Sequence, residues 1–183
     1  MKTIHTPLSV FSLATEVMPD GRAFAVIGLF DGQVLVRDLT REPGTSNLPY
    51  MLTEHTGWVH TVAVTALPDG RAFALVGGEG GVVTVWDVLT GEHLYTHECH
   101  DYRVFAVAAA VLPDGRAVGV TAEEHGLVWM WDLVTGQGLG GPTMLRENAR
   151  ALVPTRDGLV VAHGRELAHL VWHTDEAGGG TGR

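Results

Sequence analysis

Apolar residues in this chain come in short runs broken by turn residues, and none of the runs keeps a helical period. Val59–Ala66 (VHTVAVTA) is rich in β-branched residues, and 72–76 (AFALV) and 82–86 (VVTVW) follow it after brief polar breaks. The breaks are Pro68-Asp69-Gly70, the glycine-rich 77–81, and Leu89-Thr90-Gly91, all compositions that turn a chain. A fourth stretch, 93–97, alternates polar and apolar residues and predicts a strand at the solvent edge. The next unit repeats the order with Val104–Val111, 117–121, 128–131 and a glycine-rich outer strand near 138–143. The first three strands of each unit are apolar on both faces, as required of a sheet covered on both sides. The pattern predicts an all-β chain of short antiparallel sheets.

Those sheets are copies of one unit. Pro-Asp-Gly-Arg-Ala begins at Pro19, Pro68 and Pro113, and Arg156-Asp157-Gly158 echoes it, giving steps of 49, 45 and 43 residues. A second marker advances with it: Arg37-Asp38, Trp86-Asp87, Trp131-Asp132 and Trp172-His173, at steps of 49, 45 and 41. A period of about 40–50 residues built from short strands is the sequence signature of a β-propeller, one sheet to each repeat. Four four-stranded blades are expected, with inner strands near Val10–Val17, Val59–Ala66, Val104–Val111 and 149–153.

His55-Thr56-Gly57-Trp58-Val59 precedes Trp86-Asp87 by 31 residues counted from the histidine, and His100 precedes Trp131-Asp132 by the same gap. This frame resembles the WD40 repeat, and the Leu-Pro-Asp-Gly-Arg-Ala turn resembles the variant found in actinobacterial proteins. The resemblance runs from about Leu8 to Trp172. It implies a buried hydrogen-bond network of His, Ser/Thr, Asp and Trp, and assigns the structural positions to His55, Trp86, Asp87, His100, Trp131, Asp132, Asp31 and Trp172. The departures are specific. Thr6 and Arg37 replace the His and Trp in the first unit, and Leu145 and His173 replace the His and Asp in the fourth. The turn aspartate survives only as Asp31, with Gly80 and His125 in its place in units two and three.

On this frame the blades span about 5–49, 50–97, 98–143 and 144–174, followed by a glycine-rich tail, 175–183, expected to be disordered. The fourth unit lacks an outer strand of its own. Lys2-Thr3-Ile4 aligns with Tyr50-Met51-Leu52 and is expected to supply that strand, within one chain or between two. Four blades are few for this family. Closure in one chain gives a four-bladed ring, and closure between two chains gives an eight-bladed ring with a two-fold axis. The Ala- and Val-rich strands lack the bulk to fill the wide wedges of a four-bladed ring, which favours a homodimer or a piece of a longer propeller.

Composition narrows the partners. With 45% apolar residues in 183, the chain can bury a sizeable core. Its net charge of −9, and arginines scattered at repeat-equivalent positions, argue against nucleic acid and anionic membrane. A single cysteine, Cys99, excludes an intrachain disulfide and fits a reducing cytoplasm.

Candidate chemistry is sparse. His93, His97, Cys99 and His100 cluster, but His93, Tyr95 and His97 alternate on an outer strand, His100 matches the repeat's structural histidine, and the spacing fits no closed zinc pattern, so no metal is expected. The glycine-rich 77–81 lacks the Lys-Ser/Thr and the helix of a phosphate loop, and the three serines, Ser9, Ser12 and Ser46, sit in no nucleophile motif. Glu123-Glu124 reads as a solvated turn pair. No cofactor or catalytic set emerges, and the expectation is a non-enzymatic protein-interaction scaffold. Its alternatives are an enzyme with a site in the propeller funnel and a degenerate fragment of a larger multidomain signalling protein. The resemblance places a binding face at the start of each innermost strand. It falls on Ser9, Trp58, Arg103 and Asn148, with Phe11, His60, Phe105 and Arg150 two residues on. Trp58 has a second reading, burial between blades.

Overall fold

The computed structural model of the chain describes residues 6, 8–41, 50–52, 55 and 57–171. Among these the fold is all β, in four antiparallel sheets laid down in chain order. Blade 1 is β1 (Val10–Val17), β2 (Ala23–Leu29), β3 (Val34–Asp38) and β4 (Tyr50–Leu52). Blade 2 is β5 (Val59–Ala66), β6 (Ala72–Gly78), β7 (Val82–Asp87) and β8 (His93–Glu98). Blade 3 is β9 (Val104–Val111), β10 (Ala117–Glu123), β11 (Leu127–Asp132) and β12 (Thr143–Met144). Blade 4 has three strands among the described residues: β13 (Ala149–Pro154), β14 (Gly158–His163) and β15 (Glu166–Val171). The helical content of the described residues is one 3-10 turn, Glu79–Gly81.

The repeated Pro-Asp-Gly-Arg turn closes each first hairpin by local chemistry. Asp20, Asp69 and Asp114 each accept a hydrogen bond from the backbone N–H two residues on, at 3.0 Å, and a second from the same residue's guanidinium Nε. These bonds from Arg22, Arg71 and Arg116 hold the three carboxyls below the usual aspartate range. The glycine between them sits at φ of 85–92°, where a side chain would strain the turn. Asp87 and Asp132 brace the third turn in blades 2 and 3, accepting from the N–H groups of Leu89 and Thr90, and of Val134 and Thr135.

The innermost strands β1, β5, β9 and β13 pack on one another in succession, and β13 makes no comparable contact with β1. Three buried seams join the blades, each formed by the rear face of one sheet and the front face of the next. Val26, Val34 and Val36 meet Val59, Val62 and Val64 in the first. Leu75, Val83 and Val85 meet Val104 and Val107 in the second. Val120, Ala122 and Val128 meet Leu152, Leu159 and Val161 in the third. Small residues set the spacing: a Cβ on Gly77 would lie 2.7 Å from Val104 Cγ1, so only glycine admits the neighbouring strand there. Hydroxyls cross the first two seams, Ser12 Oγ accepting from Val62 N–H at 3.0 Å and Thr61 Oγ1 from Val107 N–H at 3.2 Å. A smaller buried group, Ala25, Ile27, Leu29 and Leu35, lies in blade 1, while the inner-strand residues Leu13 and Val17 are exposed.

The four inner strands fall where the sequence puts them. Blade 3's outer strand is shorter than expected, Thr143–Met144 preceded by an isolated bridge from Trp131 to Gly138. Lys2-Thr3-Ile4, Trp172 and the tail 175–183 lie outside the described residues. Two readings are corrected. Asp31 joins no buried network: its exposed carboxylate accepts from Gln33 N–H in the turn, and its blade has Thr6, not histidine, at the matching place. Glu123 is not solvated: it is 3% exposed, its Oε2 3.4 Å from His100 Nδ1.

Candidate functional site

Every inner strand starts with a β-bulge, and the bulges fall at one repeat position. In blade 1 the register steps from Val10 to Ser12, skipping Phe11. In blade 2 it skips His60, in blade 4 Arg150, and in blade 3 the pairing of Val104 and Ala106 with adjacent residues of β10 skips Phe105. A bulged residue has no partner across the ladder and turns its side chain away from the regular pleat. Just ahead of it, the carbonyls of Ser9, Trp58 and Arg103 accept from the N–H groups of Phe30, Glu79 and Glu124, fixing the far end of each hairpin identically.

The four bulged side chains and their neighbours form a row along one edge of the arc. The Phe11 and Phe30 rings are 5.4 Å apart, and Phe30 lies 5.0 Å from Trp58. These three are 52%, 43% and 51% exposed, so Trp58 is at the surface and not between blades. Further along, His60 lies 5.5 Å from Phe105, over whose ring the Arg150 guanidinium sits at 5.6 Å. Glu79 ties the row together, accepting from Arg103 Nε at 3.0 Å and lying 3.2 Å from His60 Nε2. Asn148 lines a polar cleft of about 440 Å³ with Arg146, Glu147, Arg150 and Arg165. Six of the eight sequence candidates thus join one row. Ser9 contributes a backbone carbonyl, and Asn148 borders the row through Arg150.

Phe30 and Glu79 were missed, and a signal for them exists. They stand 49 residues apart, the step of the repeat, so they are one position seen in two blades. The strand partner of Ser9 and Trp58 could have been read from that spacing.

Beneath this edge lies the buried polar network of the middle blades. In blade 2, His55 Nδ1 lies 3.2 Å from Thr84 Oγ1, which also accepts from Trp86 Nε1 at 3.1 Å. In blade 3, His100 Nε2 and Trp131 Nε1 meet Thr121 Oγ1 at 2.8 and 3.2 Å. Thr84 belongs to β7, whereas Thr121 belongs to β10, and Trp129 fills the position equivalent to Thr84. Burial pushes both histidines down to about 4, a nearby His60 adding to the effect at His55 and Asp101 opposing it at His100.

The remaining histidine cluster is used in packing. His93 stands edge-on to Trp86, and His97 stacks on Trp131 with centroids 3.9 Å apart. Burial pushes the Cys99 thiol up to about 12, which makes it a poor nucleophile and metal ligand. Among the described residues, no three His, Cys, Asp or Glu side chains are gathered to hold a metal, and no helix is long and apolar enough to cross a membrane.

The fold is similar to two crystal structures of computationally designed proteins. The Ika4 protein aligns with a TM-score of 0.69 at 21% identity, over 91% of this chain and 93% of that one. The Ika8 protein aligns with a TM-score of 0.61 at 23% identity, over 90% of this chain and 46% of that one. A search of curated proteins gives no match. Within the chain, residues 46–87, a segment that takes in β4 to β7, match the sequence model of the WD40 family, described as "WD domain, G-beta repeat".

Proposed function

We propose that the whole chain is built of WD40-type blades and serves as a non-enzymatic scaffold that binds protein along its bulged edge. The observation that carries this reading is one device used four times: Phe11, His60, Phe105 and Arg150 are each freed by a bulge at the same repeat position. Aromatic and arginine side chains dominate the energetics of protein interfaces, and here they project from sheet, whose geometry is stiff. Trp58 and Arg103 are the anchors. Phe11, His60, Phe105, Arg150, Ser9 and Asn148 complete the surface. A second copy of the chain is the other partner, joined through the ends of the arc and not through this edge. The setting is the reducing cytoplasm, on the strength of the single cysteine.

Quantitative capture from a cytoplasmic extract tests the edge, with three baits: the natural chain, Trp58→Ala with Arg103→Ala, and Arg71→Ala at the opposite end of the strands. A hot-spot tryptophan is worth about 2 kcal/mol or more, a loss of roughly thirtyfold in affinity. The expected result is a protein held by the first and third baits and lost from the second. Equal retention on all three overturns the assignment.

A further inference from the structure

We propose that two copies of this chain close front to back into a single eight-bladed ring, each supplying one half. This rests on the reading of the sheets as propeller blades and specifies how the second copy is held. The internal seams show what each repeat position does when a neighbour is present. Val62 and Leu152 are 7% and 8% exposed where they face the preceding blade, yet Leu13 at the same position of blade 1 is 60% exposed. Val34, Val83 and Val128 are 0%, 0% and 5% exposed where they face the following blade, yet Leu167 at that position of blade 4 is 76% exposed. Ala63 and Ala108, at 8% and 3%, contrast in the same way with Val153 at 56%.

The two ends are therefore the two halves of a seam that the molecule already builds three times. Pairing across blade 4 gathers Val153 with Val160, Ala151 with Ala162 and Leu167, and Gly158 with Val171 on the rear face, which no described blade covers. On the front face of blade 1, Leu13, Val17 and Met51 are exposed beside the buried Ile27 and Leu35. The occupant of either face must present the other, and a second copy presents both. A front-to-back contact closes only when the arc subtends the right angle; otherwise it runs on as a filament. This arc superposes on 46% of the longer Ika8 chain, so two such arcs span nine-tenths of it. Half a ring per copy makes both joints identical and leaves no face over.

Light scattering on the full chain at micromolar concentration should give twice the 19.6 kDa of one copy. Leu13→Glu and Leu167→Glu, each at a position exposed in the single copy, should leave the circular dichroism unchanged and reduce the mass to one copy. Each variant puts a charge into both joints and should weaken assembly by about a hundredfold or more. Trp58→Ala with Arg103→Ala should remain dimeric, which separates this contact from the protein-binding edge. Hydrogen exchange on the natural chain should show protection in residues 10–17 and 166–171 that rises with concentration. A natural chain of single-copy mass, a ladder of larger masses, or a dimer unaffected by both glutamates would each overturn the proposal.

Discussion

Leu13 and Val62 hold the same place in the same repeat, one mostly in water and the other almost wholly out of it. Nothing local distinguishes them, since both lie on eight-residue inner strands that pair identically with their hairpin partners. The difference is the neighbour. In a repeat protein a blade's stability is largely held in its seams, so equal sequences at the middle and at the ends carry unequal energies.

Truncation at one repeat position in two blades isolates what the neighbour contributes. Leu75 and Val160 both lie on the rear face of their blades, but Leu75 is fully buried in a seam and Val160 is only half-buried. Leu75→Ala should cost about 3 kcal/mol and Val160→Ala below about 1 kcal/mol at dilutions favouring single copies, read by urea denaturation. Equal costs would show that seam burial does not set the ledger.

Acid comes next, and it acts on the middle blades. His55 and His100 have pKa values near 4 in the folded chain, against about 6.5 when exposed. The unfolded chain therefore takes up protons first as pH falls. Their contribution is complete above about pH 6.5 and is lost progressively down to about pH 4, together a few kcal/mol. Thermal melts across that window should show the loss, and His55→Gln with His100→Gln should flatten it. An unaltered slope in the double variant would refute the assignment.

Thr84→Val and Thr121→Val should each cost about 1–2 kcal/mol, because each removes the one oxygen shared by a buried histidine and an indole. The two losses should be similar although the threonines lie on different strands. A modest effect is expected at the third turn, where Asp87→Ala loses two bonds to backbone N–H, about 1 kcal/mol by the same denaturation assay.

The inner strands and first hairpins were legible because Pro-Asp-Gly-Arg is punctuation, and its chemistry is complete within four residues. The edge row was legible in part for the same reason, since a position two residues along a known strand is fixed by the strand. Glu123 and Thr121 were not. Each acts through residues about twenty positions away, brought close by the fold, and neither occupies the expected repeat position. The network's oxygen is fixed as a point in space, and either of two strands can deliver it. Fixed register carries Thr84 onto Trp129, which leaves Thr121 out of view.

The Pro-Asp-Gly-Arg turns carry a consequence for how the chain acquires its shape. Asp20 with Arg22, Asp69 with Arg71 and Asp114 with Arg116 form contacts two residues apart, closing loops with almost no entropic penalty, whereas every seam joins residues of different repeats. Contacts so near in sequence form on the microsecond scale of isolated hairpins, well before inter-blade packing. Three hairpins can thus nucleate independently along one chain, and the order in which they condense is not prescribed. Substitution of Asp69 by Ala should slow folding and leave unfolding nearly unchanged, while Leu75→Ala should chiefly speed unfolding; the reverse pattern in stopped-flow traces would place nucleation in the seams.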